Sequence, residues 1–268
     1  MNELPLAYID ILDWVFAVLI FMIRPGAFVI SSPVLQSRSL TLNVKLILVA
    51  GIAFFLMRQE SLPVMSALST SQLVFIVFVE IAIGLCGGVL LQIWFAIPSL
   101  AGEYAATSMG LGFARMVDFT NSGQSATIGQ FLSLAFLTLF LSLDGHLISL
   151  SVLIDSYNVI PIGEGFNVKP FSDSALNAGS QMFVIAALMA LPIVGGIFLV
   201  NIALGILTKI APQMNLFSVG FPATILVGFF LLWASLPSMA SLMREIVWGG
   251  ENSIASAYSG KVEELSFE

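Results

Sequence analysis

The chain is poor in charge. Its 268 residues include 9 Lys plus Arg and 16 Asp plus Glu, so only 9% of side chains are charged, against about 25% in an ordinary soluble domain. A water-soluble chain of this length would need far more polar surface to cover itself. Cations are scarcer than anions, and the net charge of -7 excludes a basic nucleic-acid binder. A single cysteine, Cys86, cannot make an intramolecular disulfide. It stands within an apolar run and reads as a small buried hydrophobe. A single histidine, His146, with no cysteine nearby, argues against a zinc site. No GxSxG surrounds any serine, and Gly260-Lys261 is followed by Val262 rather than Ser or Thr. Neither a nucleophile with its base nor a phosphate-binding loop is present. No enzyme chemistry, cofactor or metal is expected, and any work the protein supports is powered elsewhere. The N-terminus, with Glu3, Asp10 and Asp13, lacks the basic stretch of a cleaved signal peptide.

Apolar residues dominate what remains: 58% of the chain, with a mean hydropathy of +1.02. They fall in six runs: Ile11 to Ile30, Val44 to Met57, Leu73 to Ile97, Phe131 to Ile154, Met182 to Leu207 and Leu216 to Met239. A helical span needs about 20 apolar residues. The third, fifth and sixth runs meet that. The first is broken by Arg24-Pro25, the second is short, and the fourth is broken by Asp144-Gly145-His146. Such breaks are tolerated in lipid only where protein covers them. The expected fold is all-α: an integral membrane protein of hydrophobic helical hairpins, with residues 1–247 as one domain and 248–268 as a polar, acidic tail. For six spans, Arg38, Lys45, Arg115 and Lys209 fall on one side and Arg58, Lys169, Arg244 and Lys261 on the other. That even split gives no orientation. Arg24 favours an outside N-terminus if it snorkels toward the first joint.

Four features could carry function. Glu80, Gly84, Gly88 and Gln92 recur at spacing four and share one slanting helix face. Gly84 and Gly88 allow close backbone approach. A charge such as Glu80 in lipid costs roughly 2.5–3.5 kcal/mol on insertion scales. It reads either as a proton or ion site, or as the polar end of a packing face bonded to a neighbouring subunit. Asp144-Gly145-His146 reads either as a proton relay or as a turn. The joint from Ser108 to Met116 mixes Met109, Gly110, Leu111, Gly112, Phe113, Arg115 and Met116. Pliable methionine and flexible glycine suit either a channel gasket or an ordinary loop. In the joint from Ile210 to Pro222, Pro212 ends one helix and Asn215 can cap the next, giving a tight hairpin.

The run Ala211-Pro212-Gln213-Met214-Asn215-Leu216-Phe217, followed by Gly220-Phe221-Pro222, resembles a signature of the flagellar biosynthetic protein FliR family. Type III secretion proteins of the SctT family are more distant relatives of it. Gly102-Glu103 leading to Ser108-Met109-Gly110-Leu111 is similar to another element of that family, with Ser108 where glutamine is usual. The stretch from Phe131 to Asp144-Gly145-His146 and the early Arg24-Pro25…Pro33 segment fit it too. The resemblance covers roughly residues 10 to 245.

The resemblance implies a core subunit of the flagellar export gate in the bacterial inner membrane, at the flagellar basal body. Its partners would be FliP-like and FliQ-like subunits, an FlhB-like switch protein, membrane lipid and unfolded flagellar export substrates. Its hairpins would join a closed cone partly raised above the membrane plane. The joint matching Ser108 to Asn121 would plug the closed pore. The rival reading is a small proton-coupled transporter that uses Glu80 and Asp144/His146. That reading predicts broken helices in matching positions of two halves; the fifth and sixth runs hold prolines, but the first three runs offer no convincing partner pair.

Overall fold

A computed structural model describes residues 6–35, 41–59, 69–111, 127–211 and 216–259 of the chain; for residues 6–13, 59 and 216–219 it describes the backbone alone. Among the described residues every regular element is a helix. In chain order these are α1 (Leu6–Ser31), α2 (Leu42–Gln59), α3 (Thr70–Ser108), α4 (Thr127–Ser142), α5 (Gly145–Val159), α6 (Val168–Ile210) and α7 (Leu216–Ser259). The all-α expectation holds.

Several helices outrun the apolar runs that announce them. The third run ends at Ile97, yet α3 continues through Pro98 to Ser108. The fifth run begins at Met182, but α6 starts at Val168 and reaches 43 residues. The sixth ends at Met239, but α7 carries on to Ser259. Backbone hydrogen bonding continues a helix through polar side chains as readily as through apolar ones. Hydropathy therefore marks only the apolar middle. Four helices are long and apolar enough to cross a membrane, or five if α4 and α5 form one broken span. The 18-residue α2 is not among them.

The described residues fall into two compact units. The first draws on Met1–Gln92, Asp144–Ala178 and Gly249–Glu268. Its core joins Phe21 of α1, Ile52, Ala53 and Leu56 of α2, and Tyr157 of α5. A second cluster joins Ala17 and Ile20 of α1 to Ile76 of α3. Tyr258, near the end of α7, donates a hydrogen bond to the Ile83 carbonyl of α3 at 3.2 Å.

The second unit draws on Ile93–Leu143 and Gly179–Trp248. In it, Phe95 of α3 presents its edge to Phe136 and Phe140 of α4, with centroids 4.8 and 4.9 Å apart, a favoured aromatic geometry. At Gly102, a Cβ would overlap the backbone of Gly129, so α3 and α4 cross in backbone contact. On α6, Ile185, Ala186, Met189, Ala190, Ile193 and Ile197 are buried. Their three-to-four spacing makes one helical face.

Candidate functional site

The first unit is organised around Arg24. Its Nε donates to Oε2 of Glu80 at 2.7 Å, and its Nη2 donates to Oε1 at 2.9 Å. This is a two-pronged guanidinium–carboxylate pair, the strong form of a charged hydrogen bond. The side chains are 0% and 1% exposed. Nη1 donates to Oγ of Ser156 at 2.9 Å, and Nη2 also donates to the carbonyl of Ile160 at 2.9 Å. Ile160 caps the C-terminus of α5. Carbonyls there lack helical partners and favour a cation. The Tyr157 ring lies 3.9 Å from the guanidinium carbon, in cation–π position. One side chain thus ties α1 to α3 and to the end of α5.

Pro25 explains the other bond of Tyr157. Proline lacks an N–H, so the carbonyl four residues earlier in α1 has no helical donor. That carbonyl belongs to Phe21, and the Tyr157 hydroxyl donates to it at 3.2 Å.

The spacing-four stripe of α3 packs on α1 along its length. A Cβ at Gly84 would overlap the Arg24 carbonyl and come within 2.8 Å of the Ala27 Cβ. A Cβ at Gly88 would overlap the Ser31 hydroxyl. Gln92 Nε2 donates to the Ser31 carbonyl at 2.7 Å, serving the open C-terminus of α1. Glu80 heads this packed face, and its partner here is Arg24 of the same chain rather than a neighbouring subunit. Arg24 is wholly buried, so it does not snorkel toward the first joint and gives no orientation. Opposite charges set deep in two apolar runs were the available signal for the pair.

Asp144-Gly145-His146 forms the break between α4 and α5. Asp144 is left-handed, at φ 57°, and the backbone N–H groups of Leu147 and Ile148 donate to its carbonyl. The backbone therefore turns at Asp144. Among the described residues, His146 Nδ1 is buried without a hydrogen-bond partner.

In the second unit, Met109-Gly110-Leu111 follow the end of α3 as a turn. Met109 is buried, and its side chain occupies the space beside Gly228 of α7. Its carbonyl accepts a hydrogen bond from the Thr224 hydroxyl at 3.2 Å. Gly110 turns with φ 82°, a conformation that costs glycine little. A Cβ there would come within 2.7 Å of the Phe221 ring. Glu103 lies in the last turns of α3, and Gly220 and Pro222 in the first turns of α7. Phe217 lies in α7 as backbone only. Gly112, Phe113, Arg115, Met116, Pro212, Gln213, Met214 and Asn215 lie outside the described residues.

Among the described residues, no three His, Cys, Asp or Glu side chains gather to hold a metal ion. The arrangement fixes helices against one another. Both carboxylate oxygens of Glu80 are engaged by Arg24. One buried acid was missed by sequence reasoning: Glu251 of α7, which the polar look of the C-terminal stretch concealed.

Residues 15–249 match the family model of "Bacterial export proteins, family 1". The flagellar biosynthetic protein FliR of Escherichia coli strain K12 is 33% identical over 229 residues, 84% of this chain and 86% of that protein. FliR of Pectobacterium carotovorum is 33% identical over 233 residues, 85% of this chain and 87% of its own. FliR of Bacillus subtilis strain 168 is 30% identical over 248 residues, 88% of this chain and 92% of its own.

Proposed function

Because the chain belongs to the bacterial export proteins, family 1, we propose that it is a non-enzymatic core subunit of the flagellar export gate that helps form and plug the channel for unfolded flagellar proteins. It is a subunit of the flagellar export apparatus and resides in the bacterial inner membrane. Its partners in this reading are FliP-like and FliQ-like gate subunits and an FlhB-like switch protein, with lipid around them. Part of the assembled gate rises above the membrane plane.

One observation supports the plug. The end of α3 is anchored through Met109 and Gly110 on Thr224, Phe221 and Gly228 of α7. A segment that must seal a pore and yield to cargo needs one fixed end. Beyond this anchor the chain runs on through Gly112 and Met116, residue types that conform to irregular surfaces. In assembled complexes, deletion of Met109 to Met116 should make the membrane leak ions and small solutes. A tight membrane after that deletion would sink the plug. A stable monomer that transports a small solute would sink the gate reading as a whole.

A further inference from the structure

Glu251 is a buried acid of the first unit. It is 3% exposed, and among the described residues neither carboxylate oxygen has a hydrogen-bond partner. It shares a helical face with Ile254 and Tyr258, which are buried as well. Gly249 and Gly250, just before it, are also buried. Among the described residues no cation forms an ion pair with Glu251, and Arg24 of α1, the cation that acts on Tyr258 of the same face, is held by Glu80. On α3, Glu80 is an acid already bound to Arg24 of α1, and Cys86 is a thiol. On α6, whose Ser174 hydroxyl lies 3.1 Å from that of Ser256, Lys169 and Asp173 are exposed. On α7 itself, Arg244 and Glu245 are exposed and Tyr258 is engaged with Ile83.

An ionised carboxylate without a partner is among the costliest groups to bury, and such a group neutralises instead. We propose that Glu251 is a proton-binding site, a carboxylic acid while the end of α7 is packed, which releases its proton only when that packing opens. The ligand is a hydrogen ion, and the site stands whether or not the plug reading does. Linkage gives the sign: the packed state binds the proton more tightly than the open one. Packing is therefore strongest at low pH and weakens as pH rises.

Two measurements on the full chain in its membrane assembly decide it. Infrared difference spectra of wild type against Glu251→Gln at neutral pH should show a protonated-carboxyl carbonyl band, shifted in heavy water, that the variant lacks. Amide protection of residues 249–259, corrected for intrinsic exchange, should fall in the wild type by up to about tenfold per pH unit through the titration. Glu251→Gln, which imitates the neutral acid, should accumulate normally and hold its protection at every pH. Absence of the band, or wild-type protection that ignores pH, would overturn the proposal. So would failure of Glu251→Gln to accumulate, because a charge would then be what the fold requires.

Discussion

Arg24 and Glu80 show how a charge survives inside an apolar helix. Either one alone would be costly in lipid. Together they satisfy both carboxylate oxygens and part of the guanidinium, whose remaining bonds go to Ser156 and Ile160. Removing one partner of a buried pair leaves the other uncompensated, at a cost of about 3–5 kcal/mol. Arg24→Met or Glu80→Leu should each lower the folded fraction sharply in detergent unfolding. The double variant, with apolar groups of similar size, should recover most of the loss. Additive losses would show that the pair is not the coupled unit the geometry describes. Tyr157 permits a second test. Tyr157→Phe should cost about 1 kcal/mol by stranding the Phe21 carbonyl. Pro25→Ala restores a backbone donor to that carbonyl, so the same tyrosine change should cost less on that background.

At the scale of elements, close approach is what the glycines provide. Gly84 and Gly88 bring α3 against α1, and Gly102 brings α3 against α4. The atoms in the way are backbone and short side chains, which cannot move aside. Gly88→Val should therefore exceed the usual cost of overpacking, about 1–3 kcal/mol, and separate α1 from α3. Loss of a cross-link between cysteines placed on those helices would report it. Gly195 and Gly205 of α6 face open space within this chain, and alanine there should stabilise the helix by about 0.5–1 kcal/mol. The spacing of the stripe was legible in the sequence because a helix converts a step of four into a face. That the stripe meets α1 was not legible, because periodicity names a face but not its neighbour. The true ends of α3, α6 and α7 were hidden for a related reason: polar residues inside a helix look like a joint to hydropathy.

For the molecule as a whole, many large apolar side chains stay uncovered within the single chain, among them Phe198, Ile206, Phe230 and Trp233. Extensive apolar surface of that kind belongs to lipid or to other protein. Expressed without its chromosomal neighbours, the chain should be extracted as an aggregate or degraded. Expressed with them, it should co-purify in mild detergent. Pull-down yield with and without the neighbouring genes measures this.

The sequence by itself determined the class of solvent and the class of structure. Low charge and long apolar runs leave only helices in an apolar setting, since every backbone group must bond within its own segment. The motifs around Pro212 to Pro222 and Asp144 to His146 were enough to point to the family. The tertiary structure alone decided which charge meets which. Arg24 and Glu80 are 56 residues apart and Arg24 and Ile160 are 136 apart. Such pairing depends on how helices dock, which local pattern does not encode. It also decided that Glu251 of the polar C-terminal stretch is buried without a partner among the described residues, since burial belongs to the packed chain and not to the residue.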